Sequence, residues 1–257
     1  MKKIVTLFLI LVCCLSCKKE SQKLVQITGK QADTIILGMS ESGVKTKTIY
    51  YPSMKVDSFN LRAYYEDGVL KDSCYISKSG YVFGKRYSFK EDGVVLIHEY
   101  LFDNTLNQYW AVRGSDTLNN YGNHYTIRSE DTANLNQKFQ VEILLRKAYR
   151  DDFNSLFFVY PRKGEENQLK DDFSNFREIE YDTIRSLSDD EIPNNEFYDS
   201  YWSKRAILFR TGFSKKGLNK VKGILVERKD SLFQDKNDKQ KKFIERYLFV
   251  SKDIYVN

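Results

Sequence analysis

Histidine, proline and pairable cysteine are scarce in this 257-residue chain, and each scarcity closes off a class of function. There are two histidines, His98 and His124, and neither has a partner at metal-ligand spacing. No His-Glu-x-x-His or Cys-x-x-Cys occurs, so no metal or other cofactor is expected. His98 and Glu99 are neighbours in a strand-like stretch, which points their side chains to opposite faces. Three of the four cysteines, Cys13, Cys14 and Cys17, fall in the first seventeen residues, leaving Cys74 to read as a small buried side chain. A Gly-x-Ser-x-Gly elbow and a phosphate-cradling glycine loop are both missing. The acidic runs Asp151-Asp152, Asp171-Asp172 and Asp189-Asp190-Glu191 lack the alternating ligands of a calcium loop and read as solvated loops.

Charge of one sign is also in short supply. Forty-one Lys and Arg stand against thirty-five Asp and Glu, a formal charge of +6, with bases and acids interleaved through most of the chain. That pattern carries no nucleic-acid footprint. What the chain does have is aromatic residues, 14% of the total, including 18 Tyr and 17 Phe. With long Ala/Leu-rich stretches missing, this composition predicts a mainly β fold.

The first stretch sets the address. Lys2 and Lys3 precede an uncharged run from Ile4 to Leu15, followed by Ser16, Cys17 and then Lys18-Lys19-Glu20. A basic start, a short apolar run and a small residue form the order of a secretory signal. Twelve residues of helix span about 18 Å, too short for a hydrocarbon core of about 30 Å. Ser16-Cys17 resembles the end of a bacterial lipoprotein signal, in the style of Bacteroidota-type lipoproteins, with Cys14 standing where that family prefers Leu. The resemblance implies cleavage after Ser16, acylation of Cys17 and anchoring to a lipid bilayer. Residues 1–16 would then be the signal peptide and 17–33 a lipidated polar tether. The mature chain would hold 257 − 16 = 241 residues and a side-chain charge of 39 − 35 = +4. The expected location is the cell envelope, on the outer membrane, facing either the periplasm or the cell surface. With Cys17 acylated, Cys74 has no intrachain disulfide partner.

The next region, 34–118, is repetitive. Thr34-Ile35-Ile36-Leu37 reads as a short strand ending at Gly38. Tyr64-Tyr65-Glu66-Asp67-Gly68-Val69 is answered twenty-five residues later by Phe89-Lys90-Glu91-Asp92-Gly93-Val94, with Tyr50-Tyr51-Pro52-Ser53-Met54 as a degenerate earlier copy. Aromatic strand ends running into Asp-Gly predict turns at Asp67-Gly68 and Asp92-Gly93, where Gly supplies positive φ. These phrases resemble the variant MORN-type, or antitoxin-like, repeats over about 47–109, a resemblance that implies a β scaffold and no particular activity.

The remainder, 119–257, reads as a β-sandwich-like domain. Asn119 to Tyr125 is turn-rich. Gln137 to Leu145 alternates as a strand, and Asp151 to Asn154 turns the chain into a returning strand at Leu156 to Tyr160. Further strands are expected at Arg177 to Ile184, Arg205 to Phe213, Val221 to Arg228 and Phe243 to Val250, spaced as in a sandwich. The closing phrases are similar to edges of immunoglobulin-like domains. Long loops are expected at 161–172 and 186–204.

Loops on rigid scaffolds carry contacts, so partner contact is expected in this second region. Tyr198, Tyr201 and Trp202 are the candidate binding residues, their rings offering large amphipathic contact area. The reading that follows is a binding or scaffold module rather than an enzyme, taking an envelope protein or glycan as partner. Two alternatives remain: an envelope glycan or peptide hydrolase working through loop carboxylates, and a toxin-capturing, immunity-like protein.

Overall fold

In a computed structural model the chain is mainly β, and the structure describes residues 34–52, 59–101, 104–162, 168–188, 199–231 and 242–257. The expected signal peptide, Cys17, the tether, Ser53-Met54 and Tyr198 lie outside the described residues.

Seven strands make an antiparallel meander: β1 (Thr34–Met39), β2 (Lys45–Pro52), β3 (Phe59–Glu66), β4 (Val69–Ser77), β5 (Val82–Phe89), β6 (Val94–Tyr100) and β7 (Leu106–Arg113). The twenty-five-residue period is one hairpin plus its connection. Gly43, Gly68 and Gly93 fall at spacings of 68 − 43 = 93 − 68 = 25, all with positive φ, in the turns β1–β2, β3–β4 and β5–β6. The glycine spacing extends upstream to the turn at Ser40–Val44, while the expected Tyr50–Met54 copy runs into residues outside the described ones.

The two Asp-Gly turns are of different types. Asp67 and Gly68 both have positive φ between the paired residues Glu66 and Val69, a two-residue turn whose twist suits a hairpin. Around Gly93 the turn is longer: Lys90 N–H donates to the Val94 carbonyl at 2.8 Å and Gly93 N–H to the Lys90 carbonyl at 3.2 Å. That same pair of bonds recurs at Ser40–Val44, Ser77–Tyr81 and Leu101–Thr105, with Asn104 replacing glycine in the last. Neighbouring turns are tied together as well. Lys45 N–H donates to Asp67 Oδ1, and Val82 N–H to Asn104 Oδ1.

β8 (Asp116–Arg128) continues the meander and then becomes a strand of the sandwich. Its first half pairs with β7 and its second half with β10 (Phe139–Lys147), which pairs in turn with β13 (Ala206–Thr211). One ten-stranded sheet thus runs from β1 to β13, and position 118/119 falls inside a single strand. The Asn-rich phrase 119–125 forms no turn; the chain reverses at Gly114-Ser115, and Gly122 is strained open within β8 at φ +105°. A Cβ on Gly122 would sit 2.0 Å from the Tyr109 carbonyl oxygen. This glycine permits close approach of β7 where β8 changes partners.

The second sheet has the order β12 (Tyr181–Arg185), β11 (Ser155–Pro161), β14 (Gly217–Ser231), β15 (Lys242–Val256) and β9 (Thr132–Ala133). β11 does not return against β10, as the turn at Asp151–Asn154 suggested, but crosses to this opposing sheet and pairs with β12 and β14. The alternation of β10 explains the crossing. Phe139, Val141, Ile143 and Leu145 face Leu156, Phe158, Leu225, Leu248 and Val250 across a fully buried core. Each such side chain removed from water contributes about 1.5–3 kcal/mol, and only a facing sheet can cover them. The expected strand at Arg177 begins instead as a short 3-10 turn, Phe176–Glu178.

Candidate functional site

Where the meander meets the sandwich, buried and half-buried polar groups converge from five strands, β6, β7, β8, β14 and β15. Asn107 on β7, 1% exposed, bonds both backbone groups of Phe249 on β15, and its amide also reaches Glu99 on β6 at 3.1 Å. Gln108 donates to the other oxygen of Glu99 and accepts from Tyr125 N–H. Arg246 on β15 donates to the carbonyl oxygens of Leu106 and Asn107, and its Nε to Asn123 Oδ1 at 3.3 Å. Asn123 on β8, fully buried, passes the network on: its amide donates to Glu227 Oε1 at 2.7 Å, while Tyr149 N–H donates to Glu227 Oε2 at 2.8 Å.

Burial pushes the Glu227 carboxyl up, and the bonds from Asn123 and Tyr149 with the nearby Arg246 and Arg205 oppose that shift. Both of its oxygens are occupied, so this carboxylate serves as a junction rather than as an open acid. Asn123, Asn107 and Gln108 supply the paired donors and acceptors that a buried polar group requires. Beside them His124 is buried next to Trp110, with Nδ1 unpartnered; burial, then Arg146, lowers its pKa to about 4. It sits neutral in the sheet. His98 is stacked on Tyr109 with ring centres 5.8 Å apart, its pKa lowered by burial and then by Arg86.

The predicted contact rings Tyr201 and Trp202 lie on one helical turn, α1 (Ser200–Ser203), capped by Asp199, whose carboxylate accepts from Trp202 N–H at 2.9 Å. The turn puts them edge to face, 5.0 Å apart, and gives them different roles. Trp202 packs against Leu144, Leu187 and Ala206, under the Arg146 guanidinium. Tyr201 is half exposed and covers Arg205, whose guanidinium lies 4.3 Å from that ring and 5.2 Å from Phe153. Arg205 is itself buried, with Nη1 unpartnered and Asp151 at 3.7 Å from Nη2. The surface around Tyr201 is aromatic and cationic, with Lys204 over Phe153 as a further base.

The described acidic pairs are spoken for, and Asp189-Asp190-Glu191 lies outside the described residues. Asp151 holds Lys147, Asp152 holds Arg150 and Lys229, and Asp171 holds Lys220 and Lys222. Those lysines, Lys220 first, pull the Asp171 carboxyl below its usual range. Asp172 caps the backbone N–H of Ser174. A general acid needs the opposite shift. Among the described residues no three His, Cys, Asp or Glu groups gather as a metal would need. In the meander, Asp72 joins three strands by accepting from Arg62 at 2.7 Å and Arg86 at 2.6 Å, and Cys74 beside it is a buried free thiol, pushed up by burial.

Sequence reasoning missed the junction set Asn107, Asn123, Glu227 and Arg246. Asn107 and Asn123 lie more than a hundred positions from Glu227 and Arg246, and no local pattern links the two pairs. Comparison with protein-family models, with curated proteins and with solved structures returns no match.

Proposed function

We propose that this chain is an envelope lipoprotein, held in the outer membrane through acylated Cys17, that acts as a binding or scaffold module. The observation that carries the reading is the unbroken path of the sheet. β1 starts seventeen positions after Cys17, and hydrogen-bonded strands follow one another from there through β8 into the sandwich. A meander locked to its sandwich by Asn107, Asn123 and Arg246 makes a stiff support. The MORN-like repeats are the part nearer the anchor, and the sandwich presents Tyr201 to an envelope protein or glycan.

Two or three acyl chains hold a protein stably on a bilayer, whereas one chain gives marginal attachment. Cys17→Ala removes the acyl acceptor and is expected to move the protein from the membrane pellet to the soluble fraction, with its melting temperature unchanged. A variant that still sediments with membranes through an alkaline wash contradicts the anchor.

A further inference from the structure

We infer that the outer edge of β1 is a self-association surface, and that its occupant is the β1 strand of a second copy of this chain.

β1 ends the ten-stranded sheet and, among the described residues, pairs with β2 alone. Its sequence, Thr-Ile-Ile-Leu-Gly-Met, has no charge and no proline, in a chain that is 30% charged. All six residues are exposed: Ile35 and Ile36 by 53%, Leu37 by 74% and Met39 by 68%. Edge strands are ordinarily blunted by Lys, Pro or a bulge, because their unpaired N–H and C=O groups template further strands. The far edge of the same sheet is covered: Leu187 N–H bonds the Ala206 carbonyl of β13 at 3.0 Å. Among the described residues β1 carries none of these protections.

A bilayer is a poor occupant, since hydrocarbon would leave the edge amides and carbonyls without partners. A second β1 supplies them. Antiparallel pairing about a two-fold axis perpendicular to the sheet closes after two copies, so it forms a dimer and not a fibre. The strand meets no charge of its own sign, and apolar side chains meet their equivalents. Six residues per copy bury well under the roughly 1,200 Å² of a stable interface. The dimer is therefore weak in dilute solution and forms where copies are concentrated, as on a membrane surface.

The two-fold axis keeps Leu37 and its symmetry mate on the same face, opposite or one diagonal apart, within reach of long side chains. Two differently tagged full-length copies are expressed together, crosslinked briefly with formaldehyde in intact cells, and captured through one tag. The wild-type pair is expected to yield the second tag. Leu37→Lys in both copies is expected to reduce the yield at least tenfold, and Leu37→Lys paired with Leu37→Glu to restore it. No second tag from the wild-type pair overturns the inference, as does a Lys/Lys pair captured like wild type. Loss with Lys/Lys that Lys/Glu fails to restore also overturns it, because the strand then meets something other than itself. The inference rests on the anchored reading for the local concentration of copies, and the two are told apart: fractionation of Cys17→Ala copies run in parallel reports anchoring, and capture between the Leu37 variants with Cys17 intact reports pairing.

Discussion

Asn107 meets the backbone of Phe249 as a neighbouring strand would, its amide donating to the carbonyl oxygen at 2.9 Å and its side-chain oxygen accepting the N–H at 2.7 Å. One side chain thus stitches the seventh strand of the meander to the last strand of the sandwich. Asn107→Leu leaves the Phe249 N–H buried without its partner, while the Phe249 carbonyl keeps the Tyr125 hydroxyl at 2.9 Å. One unsatisfied buried group costs about 1–3 kcal/mol, and a loss of that size is expected in urea unfolding at neutral pH. A loss below 0.5 kcal/mol would mean that the junction contributes little to the stability of the sheet.

The glycines should separate by mechanism. Gly68 and Gly93 have positive φ with open space where a Cβ would lie, so Gly68→Ala and Gly93→Ala should each cost about 1 kcal/mol of backbone strain. Gly122→Ala meets both φ +105° and the Tyr109 carbonyl, and should cost several times more in the same thermal melts. Equal costs at all three sites would refute the account of β8 as a close crossing.

His124 makes stability depend on pH with a definite sign. Its folded pKa, about 4, lies below the unfolded value near 6.5, so the unfolded chain binds more protons between these values. Stability is fully present above pH 6.5 and falls as the pH drops toward 4, by at most about 3 kcal/mol from this residue. Glu227 acts oppositely: burial raises its folded pKa, so its contribution is present below its unfolded pKa and is lost as pH rises through the folded one. His124→Phe is therefore expected to flatten the acid limb of a urea-midpoint profile between pH 6.5 and 4. An unchanged limb would assign that acid sensitivity to other groups.

Tyr201 and Trp202 should part company. Trp202→Ala empties a site against Leu144, Leu187 and Ala206 and should destabilise by about 3 kcal/mol. Tyr201→Ala removes a half-exposed ring and should cost under 1 kcal/mol, leaving it the cleaner probe of partner capture. Equal melting temperatures for the two variants would contradict their division into packing and surface.

Local chemistry was the legible part of this fold. Alternation at Phe139 to Leu145 identified a strand, and Asp-Gly at 67–68 identified a turn, because strand period and positive φ act over a few residues. The Asn119–Tyr125 phrase misled because Asn and Gly are turn formers only where the chain reverses, and there the reversal had already occurred at Gly114. The crossing of β11 to the opposing sheet was invisible, since strand pairing is decided by which faces need covering. Sequence singles out Tyr201 and Trp202 together with Tyr198, yet only the helical turn capped by Asp199 tells that Tyr201 faces outward and Trp202 packs inward.

The measurement that bears most directly on the central claim is mass spectrometry of the mature amino-terminal peptide isolated from the membrane. The account predicts a chain beginning at Cys17, its thiol carrying a diacylglyceryl group and its residues 1–16 removed. An unmodified Cys17, or a mature terminus at any other residue, would contradict it.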